Sequence, residues 1–446
     1  MQIDRRTLLI GAGTMAVAAT SAVAAPRERK PAVLVKNVRL FDGVSPKLVD
    51  SHLLAEGPLI TRVSTSPIDP PSGCIVIDGR GQTLMPGLTD AHWHLALAAN
   101  RPADLDAADD GLMFADMVAE AQRQLLRGFT TVRDCAGPTF GIKRAIDEGR
   151  IAGPRIYPSG AILSQTSGHG DHAAAYALSP TFAGTPSRFQ QLGLELVVDG
   201  VPAVLAGARQ QLRRGASQIK IAAGGGIVSD FDPIDSAQFT MEELSAAVEA
   251  AQAWGTYVMA HAYSSNSIRR CIEAGVACIE HGHLMDEATM ALLGQKGVWL
   301  STQAFSAGDQ PVSPEMHAKG APVNGAYEHL LRWAQKHGVR VAFGTDLVFQ
   351  PDSPVENRML TKFATVYSNA ETLRIATSGN AALFAMSGAR NPYRAAPLGV
   401  LKPGAWADFL LVKGNPLEAI DILANYEDNL LLICKNGEIH KNIVTA

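Results

Sequence analysis

The sequence predicts an α/β fold: a (β/α)8 TIM barrel with a small β-sandwich domain built from both termini. Three observations predict it. Eight short apolar strand candidates, centred on Ala91, Thr131, Tyr157, Ile219, Val258, Cys278, Trp299 and Phe343, punctuate the middle of the chain. Helical stretches at 115–127, 201–214, 241–254, 267–274 and 327–337 lie between them, with apolar residues at three- and four-residue steps. The two ends share a different texture, short β-rich runs with turn residues between them. Alternating strands and helices make a parallel sheet, and eight units close a barrel. The 446 residues exceed what one simple core usually serves, so a barrel plus a smaller domain fits.

From the N-terminus, Asp4-Arg5-Arg6-Thr7-Leu8-Leu9 precedes an apolar run from Ile10 to Val23, and Ala22-Val23-Ala24 offers a small-residue cleavage site. Residues 1–25 therefore read as an export signal and not a membrane span. The paired arginines resemble a twin-arginine signal, with an ordinary secretory signal as the alternative. The expected location is exported, periplasmic or secreted, with no membrane contact after cleavage. Residues 31–84 form the first part of the sandwich: a strand over 32–41, the turn Asp42-Gly43, the loop Pro70-Pro71-Ser72-Gly73 and the strand Ile75-Val76-Ile77. Residues 85–389 form the barrel. Residues 390–446 complete the sandwich with strands at 408–412 and 430–434 and the turn Asn436-Gly437. Hydrophobic residues make up 47% of the chain and charged ones 18%, which excludes a disordered chain. A net charge of -4 and no basic patch interleaved with aromatics exclude nucleic acid as the expected partner. The five cysteines are scattered, with no Cys-x-x-Cys pair, and read as buried free thiols.

Barrel enzymes carry their chemistry at the C-terminal ends of the strands. His92 and His94 close the first strand in Leu88-Thr89-Asp90-Ala91-His92-Trp93-His94 and, in extended backbone, face the same way. Ile219 and Ile221 should face the helices, which turns Lys220 into the barrel interior. A bare buried ammonium is costly, so it needs a partner. A paired acid is one answer. Another is addition of carbon dioxide to the deprotonated amine, giving a carbamate whose two oxygens bridge two divalent metals. His261 ends the strand Tyr257-Val258-Met259-Ala260-His261, His281 ends Ala277-Cys278-Ile279-Glu280-His281, and Asp346 ends Val341-Ala342-Phe343-Gly344-Thr345-Asp346. Two neighbouring metals need about eight to ten ligand positions, shared between side chains and water, and these six residues with a carbamate and water meet that need.

With those residues in view, the chain resembles the metal-dependent amidohydrolase superfamily. The opening Asn37-Val38-Arg39-Leu40-Phe41-Asp42-Gly43 and the closing Leu401-Lys402-Pro403-Gly404-Ala405-Trp406-Ala407-Asp408 fit as well. Ser167-Gly168-His169-Gly170-Asp171 and His261-Ala262-Tyr263 point to its prolidase and imidazolonepropionase-like group, which includes ochratoxin-hydrolysing carboxypeptidase-type amidohydrolases. The resemblance implies that His92, His94 and Asp346 hold the more buried metal. It implies that His261 and His281 hold the more exposed one, and that carboxylated Lys220 bridges both. Asp346 would also be general base and acid, carrying a proton from the attacking water to the leaving nitrogen. His169 and Tyr263 would donate hydrogen bonds to the oxyanion or to a substrate carboxylate. His283 departs from the family pattern and is expected at the pocket wall, with a role as alternate ligand left open. Zinc suits the donor set, and manganese, cobalt or iron could occupy it.

The expected activity is hydrolysis of an amide beside a free carboxylate, in dipeptides, N-acyl amino acids or ochratoxin A-like amides of phenylalanine. The alternatives are a cyclic amide or lactone hydrolase on the same scaffold and a non-catalytic metal-binding barrel protein. The group's habit implies a homo-oligomer, up to an octamer. Gly224-Gly225-Gly226 lacks a following Gly-Lys-Ser/Thr, so it is no phosphate loop and reads as close backbone approach to substrate. The loops at 163–193 and 348–358 are expected to shape the pocket.

Overall fold

A computed structural model describes residues 31–182, 184–306, 313–350 and 355–444. The export-signal expectation for residues 1–25 lies outside them. The N-terminal part contributes β1 (Val33–Leu40), β2 (Val49–Glu56), β3 (Leu59–Ser64), β4 (Ile75–Asp78) and β5 (Thr83–Pro86). The barrel region follows with β6 (Leu88–Trp93), β7 (Phe129–Asp134), β8 (Arg155–Pro158), β9 (Ile162–Ser164), β10 (Glu195–Val197), β11 (Ile219–Ala222), β12 (Val258–Ser264), β13 (Cys278–Leu284), β14 (Trp299–Thr302) and β15 (Val341–Phe343). The C-terminal part adds β16 (Phe409–Val412), β17 (Leu430–Lys435) and β18 (Glu438–Asn442).

Both chain ends join one sheet, in the order β18-β17-β16-β5-β1-β2-β3, with β4 beside β1. Its alternate apolar side chains, among them Val35, Leu53, Ile60, Phe409, Leu411 and Leu432, share one core. The sheet curls over that core until its β3 edge meets the segment that leads into β16. Leu59 bridges Trp406, and the Ile60 N–H donates to the Ala405 carbonyl at 2.9 Å. The sandwich is thus a single sheet folded on its own apolar face.

All strand pairs of the barrel region are parallel. β6-β7-β8 form one arc and β11-β12-β13-β14-β15 the other. Two seams close the ring. Ser217 N–H donates to the Pro158 carbonyl at 2.8 Å, and Asp346 N–H donates to the His92 carbonyl at 2.7 Å. The eight staves coincide with the eight candidates read from the sequence. β9 and β10 are additional strands that extend the β11 edge outside the ring, placed in and beside the 163–193 loop.

The helix expected at 201–214 occupies Val201–Arg214, ended by Gly215 at φ 106°. The helix expected at 115–127 begins earlier, at Asp110, because the Asp109 side chain caps it by accepting from Gly111 N–H. Met241–Ala253 starts at a capping box formed by Thr240 and Glu243. Among the described residues no helix is long and apolar enough to cross a membrane. All five cysteines are free thiols, four of them buried.

Barrel and sheet are joined by Arg155 on β8. Its Nε donates to Asp408 Oδ2 at 2.8 Å, its Nη2 donates to Asn436 Oδ1 at 2.9 Å, and its guanidinium stacks 4.0 Å from the Trp406 ring. Both charged partners are buried. Removing one side leaves the other charge without its partner, which costs about 3–5 kcal/mol. Arg155→Met should therefore lower the urea-unfolding free energy by about that amount, and a loss below about 1 kcal/mol would show that the junction does not depend on the pair.

Candidate metal centre

The six strand-end residues converge at one mouth of the barrel. His92 Nε2 lies 3.1 Å from His94 Nε2 and 3.2 Å from Lys220 Nζ. Asp346 Oδ1 lies 3.1 Å from His94 Nε2 and 3.5 Å from His92 Nε2. His281 Nδ1 stands 3.7 Å from Asp346 Oδ2, and its ring packs 4.7 Å from that of His92 and 4.5 Å from that of His261. His92, His281 and Asp346 each offer a ligand atom within 4.8 Å of the others. Lys220 points inward, as the flanking Ile219 and Ile221 require by alternation.

Three local features make this convergence possible. Gly344 sits where any Cβ would collide with His92, so the end of β15 can lie directly against β6. Asp346 has φ 51° and His281 φ 72°, left-handed conformations that non-glycine residues adopt at a cost of order 1–3 kcal/mol each. Asp90, two residues before His92, ties the seam. Its carboxyl accepts from His92 N–H at 2.9 Å and from Thr345 Oγ1 at 2.6 Å, and burial pushes its pKa up to about 7.

Burial also sets the charge of the imidazoles. Desolvation holds His92, His261 and His281 well below the ordinary histidine range, with Lys220 nearby adding to the effect on each. They are neutral at neutral pH, the form that binds metals. Asp346 is held below the usual carboxylate range: burial pushes it up, but His92 and His94 more than offset that.

The donor set fits divalent metal. Ligand atoms 2.0–2.2 Å from a tetrahedral zinc stand roughly 3.3 Å apart, and the His92, His94 and Asp346 atoms are separated by 3.1–3.5 Å. Neighbouring groups hold the rings. Glu280 Oε2 is 2.7 Å from His92 Nδ1, Gln303 Oε1 is 2.9 Å from His281 Nδ1, and the Gly225 carbonyl is 3.1 Å from His261 Nε2. Such outer partners orient metal-binding imidazoles. None of these three came out of the sequence reading. The available signal was charge within buried strands: Glu280 and Asp90 are the acidic residues of otherwise mostly apolar runs, and a charge there needs a partner.

His169 is brought to the site. Its ring stacks 4.0 Å from that of His261, and its Nδ1 is 2.8 Å from Ser229 Oγ. Burial pushes its pKa down to about 4. A Cβ on Gly226 would collide with this ring, so the glycine run makes room for a histidine and presents the Gly225 carbonyl to another. Tyr263 lines the pocket, its ring 5.1 Å from those of His261 and His281. His283 does not line it. Its Nε2 donates to the Gln303 carbonyl at 2.8 Å and its ring stacks on Phe305. The expected place of His283 at the pocket wall is corrected accordingly.

The pocket above the cluster is walled by Leu97, Phe189, Ile227, Phe305, Met316 and Phe349. The 163–193 loop supplies Phe189, His169 and His172, and the 348–358 loop supplies Val348 and Phe349. Lys220 is the sole lysine or arginine among the described lining residues. His172 also lines it, with Nδ1 2.5 Å from Glu195 Oε2; burial alone would lower its pKa, but the Glu195 carboxylate outweighs this and raises it.

Comparison with known proteins fits this geometry. Residues 83–439 match the Amidohydrolase family. The ochratoxinase of Aspergillus niger is 31% identical over 363 residues, covering 77% of this chain and 72% of that protein. Its crystal structure superposes with a TM-score of 0.78 at 27% identity, covering 93% of this chain and 96% of that one. The crystal structure of a prolidase complexed with N-methylphosphonate-L-proline is 33% identical with a TM-score of 0.84, covering 92% of this chain and all of that one. The chain belongs to the amidohydrolase family and is a hydrolase enzyme.

Proposed function

We propose that this hydrolase is a binuclear-metal enzyme that cleaves amide bonds beside a free carboxylate, in N-acyl amino acids, dipeptides or ochratoxin A-like amides of phenylalanine. The observation that carries it is the packing of His92, His94, Lys220, His261, His281 and Asp346 around one point at the pocket floor. These six would hold two divalent ions, zinc by the donor set, with Lys220 as its carbamate. When bound, such ions supply Lewis acidity toward the amide carbonyl and acidify a water. The names ochratoxinase and prolidase among the relatives, one of them crystallised with a proline derivative, support an amino-acid amide as substrate.

The remaining work falls to the chain. Asp346, ionised and aimed at the cluster, takes a proton from the attacking water and hands it to the leaving nitrogen, which is otherwise a poor leaving group. His169 is neutral, so it offers a hydrogen bond and not a charge. Tyr263 lines the same pocket and offers a phenol donor. With no arginine among the described lining residues, the substrate carboxylate would be received by such donors, while Phe189, Phe305 and Phe349 exclude water from an apolar side chain.

The direct test is product analysis on a panel of N-acyl amino acids and dipeptides, with metal content measured alongside. Release of free amino acid by enzyme carrying two ions per chain is the expected result. Lys220→Ala should abolish both metal loading and turnover; two bound ions with normal activity would end the carbamate assignment. Asp346→Asn should keep part of the metal and lose about 10²–10⁴-fold in kcat, the usual worth of acid–base catalysis, and a rate within about twofold of the parent would remove Asp346 from that role. A further expectation concerns pH. His169 titrates near 4 in the fold and near 6.5 when free, so between those values the unfolded chain binds its proton more readily. Stability is then lost as pH falls through that window. The urea midpoint of the metal-free protein should drop less steeply from pH 6.5 to 4 in His169→Gln than in the parent, and equal slopes would contradict a buried neutral His169.

A further inference from the structure

We infer that Glu280 is a positioning residue that locks His92 in its Nδ1–H tautomer and so presents the Nε2 lone pair to a divalent ion, with Arg133 holding the carboxylate in place. This rests on the reading of His92 as a metal ligand. Glu280 is fully buried on β13, and both of its oxygens are committed. Oε2 lies 2.7 Å from His92 Nδ1. Oε1 lies 2.7 Å from Arg133 Nη2 and 3.0 Å from Cys278 Sγ.

Arg133 is itself fully buried and spends its other donors on the surrounding staves. Its Nε donates to the Ala91 carbonyl at 2.5 Å, and its Nη1 donates to Tyr257 Oη at 3.1 Å. One guanidinium on β7 thus ties together β6 next to His92, the start of β12, and β13 at Glu280. A carboxylate paired with a guanidinium only accepts hydrogen bonds. The hydrogen of a neutral His92 must therefore sit on Nδ1, and Nε2, which faces His94, Lys220 and Asp346, must carry the lone pair. His92, Cys135 and Glu280 also lie close enough to share an ion, but the guanidinium against Glu280 opposes a cation there.

A glutamine at this position separates the roles. Its amide has one acceptor and one donor group. Arg133, a donor only, claims the oxygen. The amide NH2 then faces His92 Nδ1, which must accept, and the ring hydrogen moves to Nε2, where it blocks the ion.

The experiment is chelator competition for zinc on the whole protein, in the parent, Glu280→Gln and His92→Ala, with far-UV circular dichroism to verify folding. Loss of the outer partner of a ligating histidine typically weakens metal binding about 10- to 100-fold, and that weakening is expected for folded Glu280→Gln. Parent-like affinity in His92→Ala would mean that His92 is not a ligand, and the underlying reading fails. Loss in His92→Ala with Glu280→Gln within about twofold of the parent would overturn the positioning role alone. If Glu280→Gln does not fold, nitrogen NMR of the metal-free parent labelled with 15N-histidine decides, with the His92 signals assigned by their loss in His92→Ala. Hydrogen on Nδ1 supports the inference, and hydrogen on Nε2 overturns it.

Discussion

The hydrogen bond from the Asp346 N–H to the His92 carbonyl is where the barrel closes and where the site begins. It joins the last stave to the first. Beside it, Asp90 accepts from Thr345, a residue 255 positions away in the chain. Bringing such distant segments together has a loop-closure cost that grows only slowly with length, so a barrel can gather candidate ligands that lie far apart in sequence. Gly344 makes the seam tight enough, since any side chain there would strike His92. Without this seam, Asp346 would not lie against the two first-strand histidines.

The closed ring then determines the electrostatics. Inside it, imidazoles lose water and stay neutral, and Asp346 is held in its charged form against burial by its contacts within the cluster, Lys220 among them. The same dryness makes every unpaired polar atom expensive. The protein answers with outer partners: Glu280 behind His92, Gln303 behind His281 and the Gly225 carbonyl behind His261. Left-handed backbone at His281 and Asp346 adds strain at two of the candidate ligands, held in place by the packing of neighbouring staves. Neutral donors, a charged acid and local strain in one place suit a functional site that could hold a cation better than one built for stability.

Much of this architecture is legible in the sequence. The eight staves stand out because each is a short apolar run, and the helices between them because their apolar residues repeat at helical steps. Lys220 could be turned inward from its two isoleucine neighbours alone. The strand-end histidines and Asp346 stand out because barrel chemistry gathers at those ends. His283 shows the limit of such reasoning. Simple alternation would put it on the same face as His281, but His281 and Gly282 both have positive φ, which breaks the alternation and delivers His283 to the Gln303 carbonyl. The early start of the helix at Asp110 and the additional strands β9 and β10 escaped for a related reason. They depend on a local cap and on an edge offered by β11, neither of which has a periodic signature.

The sequence by itself determined which residues could serve, because periodicity assigns faces and strand ends, and because histidine, lysine and aspartate carry their chemistry wherever they are placed. It also determined that Lys220 would lie within an apolar stave and need company. Only the tertiary structure decided who keeps company with whom. Pairings across a barrel join residues with no fixed sequence spacing, so Glu280 with His92, Arg133 with Tyr257 and Phe189 over the pocket arise from the ring's closure and register, which are global properties of the chain.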